Sequence, residues 1–234
     1  MFVYEKFLKR IVDFTLAFLA LIIFSPLLLI LSIIGTVIMR GNPFFIQKRP
    51  GKIALKTGKE KIFSLIKFRT MNNKKDASGN LLPDEQRLNA YGKWLRSTSL
   101  DELPSLVCIV VGNLSIVGPR PQLVRDMVFM SDEVRRRHTV RPGLTGLAQI
   151  NGRNNITWEE KFSFDLQYID KGITFYGDLK IILKTINKVM KKSDVVREGT
   201  SSDIDYGDWL LSKGMINIEK YIKKQEEAKE LLEG

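Results

Sequence analysis

The amino-acid sequence predicts an α+β fold, mainly helical with a short sheet, carrying an N-terminal kinked membrane helix and interfacial amphipathic helices. Three observations carry that expectation. Residues 14–39 contain no charge, apolar side chains recur at helical spacing through much of the remaining chain, and only short stretches such as residues 62–71 alternate as strands do. The 234 residues suffice for one globular core plus a membrane element. We divide them into a membrane-inserted helix at 1–40, a body at 41–199 and a charged extension at 200–234.

A continuous helix over residues 14–39 is about 39 Å long, more than the ~30 Å hydrocarbon core of a bilayer requires. The run is too long for the apolar region of a cleaved signal peptide, and no A-x-A-like site follows it. A fully buried core helix is the soluble alternative. Ser25 and Pro26 interrupt the run, and a proline there removes one helical hydrogen bond and clashes with the Ile22 carbonyl, which predicts a kink. Both flanks are basic, with Lys6, Lys9 and Arg10 before the run and Arg40, Lys48, Arg49 and Lys52 after it. A spanning helix places one basic flank outside. A re-entrant helix keeps both on the cytoplasmic side, and the positive-inside tendency favours it.

Residues 62–71 (IFSLIKFRTM) read as a strand and 72–83 as a polar loop with a Ser-Gly-Asn turn. Residues 84–96 read as a helix with Leu88, Tyr91 and Leu95 on one face. Ser99 to Glu102 match a capping box, placing Asp101 and Glu102 in the first turn of a helix that continues to Gly112, although Pro104 sits deep for that register. Residues 115–121 (SIVGPRP) form an extended piece ending in a rigid turn, and 140–154 read as strand and loop. Residues 158–170 and 177–192 are helical. The second carries Leu179, Ile182, Leu183, Ile186 and Val189 on one stripe with lysines elsewhere, which suits either a membrane interface or packing on the core.

The net charge of +11 is uneven, because residues 201–234 carry five Lys against eight Asp or Glu, a net of −3 that leaves +14 on residues 1–200. A basic body suits an anionic lipid surface, a diphosphate or a nucleic acid. No helix-turn-helix, zinc-finger or RNA-binding signature supports the last. The single cysteine, Cys108, excludes an intrachain disulfide and a cysteine-based zinc cluster, and the single histidine, His138, leaves little for a Ser-His machine. Chemistry falls to carboxylates.

Several adjacent acidic pairs exist, and most such pairs are solvated helix surface. Asp101-Glu102 differs in context: it follows Arg96, opens an otherwise apolar helix, and lies where a helix N-terminus keeps a carboxylate ionised. An ionised aspartate can attack phosphorus when cations neutralise a diphosphate, which splits one transfer into two through an acyl phosphate. Arginines suit bidentate phosphate contact. The candidates are Arg120, bracketed by Pro119 and Pro121, with Arg96, Arg141, Arg153, Lys67 and Arg69.

In order along the chain, the Ser-Pro-broken apolar run, QKRPG at Gln47, KFRTM at Lys67, LRSTSLDELP at Leu95, SIVGPRP at Ser115, VRPGLTGLAQINGRN at Val140, then Trp158, Lys161, Asp165, Tyr168 and DLKI at Asp178 resemble the monotopic phosphoglycosyl transferases. The resemblance, over about residues 4–199, implies a re-entrant membrane helix and a cytosolic catalytic domain at 41–199 on the cytoplasmic face of a bacterial inner membrane. It implies a UDP-sugar donor, Mg²⁺, release of UMP, a polyprenyl phosphate acceptor and a membrane-lipid surface, with no nucleic acid. By resemblance Asp101 is the nucleophile and a metal ligand, and Glu102 is its partner. Lys67, Arg69, Arg96, Pro119, Arg120, Pro121, Arg141, Gln149, Arg153 and Asp165 belong to the substrate site. Ser105, Cys108, Val111 and Asn113 depart from the family pattern on the helix after Asp101, and Leu147 stands where Trp is frequent. The alternative reading is a membrane-bound adaptor of the same fold with altered catalysis.

Overall fold

The computed structural model describes residues 3–152, 156–191 and 204–233. A π turn, Tyr4–Leu8, leads into α1, Lys9–Met39, which is helical through Ser25 and Pro26. Ser25 Oγ donates to the Ile22 carbonyl at 2.8 Å, the acceptor that Pro26 leaves without its helical N–H. The most apolar 18-residue window of this helix has a mean hydropathy of 2.8, and only 11% of it is buried by the rest of the chain. That exposure rules out a buried core helix.

One side of α1 does meet the body, at both ends. Lys9, Asp13 and Ala17, and later Leu31, Gly35 and Met39, are its buried residues. Lys9 Nζ and the Tyr4 hydroxyl reach Asp178 at 2.5 and 2.9 Å, Asp13 accepts from Ser115 Oγ, and Arg10 donates to the carbonyls of Ile109 and Val110 at 2.5 and 2.7 Å. Farther along, the Tyr91 hydroxyl donates to the Leu31 carbonyl at 3.0 Å. Lys9 and Arg10, counted as basic flank in the sequence, are thus spent on fastening the helix.

β1, Phe44–Ile53, pairs antiparallel with β2, Glu60–Phe68, and a register shift falls between Pro50 and Ile53. β2 matches the expected strand with earlier ends, whereas β1, holding a proline and a glycine, carries no clean alternation. Residues 84–96 are not one helix: α2, Asp84–Arg87, stops at Leu88, which bridges to Met71, and Asn89 caps a new helix, α3, Ala90–Thr98, by accepting from Gly92 N at 2.8 Å.

The capping box at Ser99 does not form. Ser99 takes a left-handed conformation (φ 56°) as the C-terminal stop of α3, and its side chain makes no cap; a 3₁₀ segment, Leu100–Ser105, follows and contains Pro104. It passes into α4, Leu106–Val110, and the positive φ of Gly112 ends the run where expected. The departing residues seat this region on β2, since Ser105 Oγ donates to the Ile66 carbonyl at 2.7 Å and Cys108 Sγ to the Ser64 carbonyl at 3.4 Å.

β3, Ser115–Val117, precedes α5, Val124–Met127, α6, Asp132–Arg135, and a 3₁₀ turn, Arg136–Thr139. β4, Gly143–Thr145, lies parallel to β3, so the short sheet structure expected from the sequence consists, among the described residues, of two two-stranded ladders. The backbones around this ladder touch. A Cβ on Gly143 would stand 2.1 Å from Gly118 N. Gly143→Ala is therefore expected to lower stability by about 1–3 kcal/mol and to displace the turn bearing Arg120; thermal unfolding in detergent with unchanged Tm would refute this.

Residues 147–151, expected as loop, form α7, Leu147–Asn151, and α8, Trp158–Asp170, opens on a Thr157–Glu160 capping box. α9, Phe175–Met190, leaves Leu179, Leu183, Ile186 and Met190 exposed while Ile181 is buried in the core. The extension folds as α10, Tyr206–Ser212, and α11, Ile218–Glu233, and buries Leu210 and Ala228 against the body.

Candidate functional site

Between β2, the 3₁₀ segment, the turn after β3, α5, α8 and α10 lies a cleft of about 1100 Å³. Asp101 and Glu102 stand in its wall. The tight 3₁₀ turn after the left-handed Ser99 presents both carboxylates to cations from two other elements, Lys67 near the end of β2 and Arg120 in the rigid turn. Lys67 Nζ and Arg120 Nη2 both donate to Glu102 Oε1, at 2.8 and 2.9 Å.

The two carboxylates are driven apart in acidity. Burial alone would raise the Glu102 carboxyl, but Lys67 and Arg120 hold it well below the ordinary range. At Asp101, burial and then the Glu102 charge push the carboxyl up to about 6, against the pull of Lys67, Arg96 and Arg120. Glu102 is thus the more acidic of the two and Asp101 the more basic and more nucleophilic, with a carboxyl that still ionises below neutral pH.

Arg69 and Arg96 also line the cleft, the latter with Nε on Thr70 Oγ1 at 3.1 Å, as do Gln149 and Asp165. Arg141 does not. It donates from Nε to the Gly112 carbonyl at 2.9 Å, on the side of Arg10. Pro119 and Pro121 do not line the cleft either; their carbonyls accept from Gly143 N at 2.9 Å and Arg49 Nη1 at 3.1 Å, which fixes the turn from behind. Arg153 lies outside the described residues.

Sequence reasoning missed two arginines. Arg49 lines the cleft beside Arg120, and burial lowers its guanidinium to about 10, with the Arg120 charge adding to the effect. Its place inside QKRPG, where a strand turns inward, was the available signal. Arg137, 1% exposed, donates from Nε and Nη2 to Asp165 Oδ2 at 3.0 and 2.6 Å and from Nη2 to the Arg120 carbonyl at 2.6 Å. In the sequence it is hidden in the basic run RRRH. His138 is buried against Glu60 and takes no part in the cleft.

A second, narrower groove of about 210 Å³ shares Glu102, Arg120 and Gln149 with the cleft and runs along α9 between Leu103, Leu144, Ile182 and Ile186. Among the described residues no group of three or more His, Cys, Asp or Glu forms a metal cage. Mg²⁺ takes one or two carboxylates and fills its remaining positions with water and phosphate oxygens, and the donor set fits that mode, with Asp101 the carboxylate not already engaged by Lys67 and Arg120 in an ion pair.

The sequence model described as bacterial sugar transferase matches residues 4–192. An uncharacterized sugar transferase, EpsL, of Bacillus subtilis is 46% identical over 185 residues, covering 78% of this chain and 87% of that protein. The undecaprenyl-phosphate galactose phosphotransferase of Salmonella typhimurium is 32% identical over 206 residues, covering 80% of this chain and 41% of that protein. The UDP-glucose:undecaprenyl-phosphate glucose-1-phosphate transferase of Klebsiella pneumoniae is 36% identical over 190 residues, covering 77% and 39%.

Proposed function

Because the chain belongs to the bacterial sugar transferases, we propose that it moves a sugar-1-phosphate from a UDP-sugar to a polyprenyl phosphate, with Asp101 as covalent nucleophile. The transfer would initiate assembly of a bacterial glycoconjugate. The observation that carries this reading is the acidity split at Asp101-Glu102: a cation-held Glu102 keeps Lys67 and Arg120 in place, and the raised Asp101 retains nucleophilicity near neutral pH. In the first half-reaction an Asp101 oxygen forms a bond to the β-phosphorus. The bond from that phosphorus to the bridging oxygen breaks, and UMP leaves with the electron pair. In the second, an oxygen of polyprenyl phosphate attacks the same phosphorus and the acyl phosphate bond breaks, returning Asp101 as carboxylate.

Arg120, Lys67, Arg49, Arg69 and Arg96 present cations toward the cleft, where they would neutralise the diphosphate and the charge that grows on the leaving UMP. Mg²⁺, when bound, supplies further neutralisation of that charge. Arg137 holds no substrate atom in this scheme; it fixes the Arg120 backbone and Asp165.

We further propose that α1 enters and leaves by one leaflet, on the cytoplasmic face of the inner membrane. Support comes from the contacts of the body with both ends of one continuous helix, at Asp178, Ser115 and Ile109 and again at Tyr91. A perpendicular span would carry those polar contacts through hydrocarbon. The outward apolar residues of α9 would rest in the same interface, near the mouth of the narrow groove. The adaptor alternative draws no support from Ser105, Cys108, Val111 or Asn113, because none of them lines the cleft.

Initial-rate measurement of UMP release against both substrates tests the function: parallel double-reciprocal lines are expected, and intersecting lines, or no UMP from any UDP-sugar, would contradict it. A pH series adds a second test. Only ionised Asp101 attacks, so kcat/KM should fall about tenfold per unit below a pH of about 6 and level off above it. A profile flat through the acid range would remove Asp101 from the nucleophile's role.

A further inference from the structure

The match to the family stops at residue 192, and residues 204–233 beyond it are docked on the body. The Trp158 indole donates to the Ile204 carbonyl at 3.2 Å, Tyr206 N donates to Asp126 Oδ1 at 2.9 Å, and Arg125 pairs with Asp205 at 2.6 Å. Tyr206 packs among Trp158, Phe162 and Trp209 with ring centroids 5.0–5.9 Å apart. Gly207 lies so close to Phe129 that a Cβ would stand 2.5 Å from its ring, and Ala228 of α11 is buried against Val124, Met127 and Val128. The partners on the body lie on α5, on the residues just after it, and on α8, and α5 and α8 both line the cleft.

The docking brings Ile204, Asp205 and Asp208 into the lining of the same cleft. Ionised carboxylates carry no donor and repel phosphate, so Asp205 and Asp208 cannot be phosphate ligands. The Tyr221 hydroxyl donates to Asp208 Oδ1 at 2.5 Å, which holds an exposed carboxylate in one orientation with acceptor capacity to spare. Asp165 and Gln149 line the same cleft, and Asp165 Oδ1 and Gln149 Oε1 are buried with no hydrogen-bond partner among the described residues, Asp165 being 1% exposed. Buried acceptors without donors indicate a ligand that brings hydroxyl or amide donors with it.

We propose that the C-terminal segment, residues 204–233, is a working wall of the donor site, and that Asp208 accepts hydrogen bonds from hydroxyls of the nucleotide sugar. The inference rests on the transferase reading. The shared chemistry is a vicinal diol, which both the ribose and the hexose of the donor carry, and carboxylate acceptors suit either. The segment thereby contributes to donor recognition from outside the family's common unit.

The test uses the full chain in detergent and the variant Asp208→Asn, which keeps the size of the side chain and the Tyr221 contact but weakens acceptance. Thermal unfolding should be unchanged while KM for the preferred UDP-sugar rises about tenfold with kcat nearly constant. If affinity for UMP, measured by calorimetry, falls by the same factor, the diol is the ribose; if UMP binds as before and only the ranking of UDP-sugars changes, it is the hexose. Either result supports the proposal. An Asp208→Asn protein with parental KM, UMP affinity and sugar ranking overturns it while leaving the transferase reading intact, whereas failure of the parent itself to release UMP from any UDP-sugar overturns that reading.

Discussion

Replacing Asp101 by Asn lowers UMP release by about 10⁴-fold or more while leaving the protein at least as stable as its parent. The first half follows from the loss of the attacking oxygen. The second follows from the direction of the Asp101 shift. A carboxyl raised to about 6 in the fold, against a lower value in the unfolded chain, means that the native state binds more protons than the unfolded one between those values. Ionised Asp101 therefore costs stability as pH rises through that window, and the cost is complete above it. Asparagine cannot ionise, so the gain should be absent in acid and full at neutral pH, on the order of 1 kcal/mol or roughly 2–4 °C in Tm. A variant that loses activity and also loses stability at neutral pH would show that Asp101 is held by structure rather than spent on function.

Arg137→Met is expected to have the largest effect on folding, a loss of about 3–5 kcal/mol. The guanidinium is 1% exposed and donates twice to Asp165, so its removal leaves a buried carboxylate without its hydrogen-bonded charge partner and with only the Lys161 charge acting on it. It also releases the Arg120 carbonyl, and with it the turn that holds one of the two cations on Glu102. Tm in detergent should fall by on the order of 10 °C. A double variant, Arg137→Met with Asp165→Leu, should recover much of that loss, because the stranded charge is gone, but not the activity, because Arg120 is still unsupported. Equal Tm for the single and double variants would show that the interior pair is not the origin of the effect.

The parts of the fold that were legible in the sequence are those set by local chemistry. The apolar run gave α1, the helix expected at 158–170 is α8, and Gly112 ended its helix with a positive φ. Where tertiary contacts overrode local pattern, the reading failed. Residues 84–96 satisfy helical spacing, yet Leu88 is drawn into a bridge with Met71 and Asn89 starts a new helix. The Ser99 box is a correct local pattern that lost to two demands on the same residues: Ser99 closes α3, and Glu102 turns toward Lys67 and Arg120 instead of back to the chain.

The site divides in the same way. Asp101, Glu102, Lys67 and Arg120 stand in recognisable motifs, and the structure brings them into one cleft. Arg141 sits in an equally recognisable motif but donates to the Gly112 carbonyl and does not line the cleft. Arg49 and Arg137 look like surface charge in the sequence and are drawn inward by partners 72 and 28 residues away, Pro121 and Asp165. No periodicity encodes a pairing at such a distance.

The most direct test of the central claim is mass spectrometry of the protein mixed with a UDP-sugar and Mg²⁺ in the absence of polyprenyl phosphate. A phosphosugar mass on the peptide containing Asp101, formed with one equivalent of UMP and discharged when polyprenyl phosphate is added, is the predicted result. UMP that appears only when polyprenyl phosphate is present, with no adduct at any time, would mean direct transfer between substrates and would contradict the account.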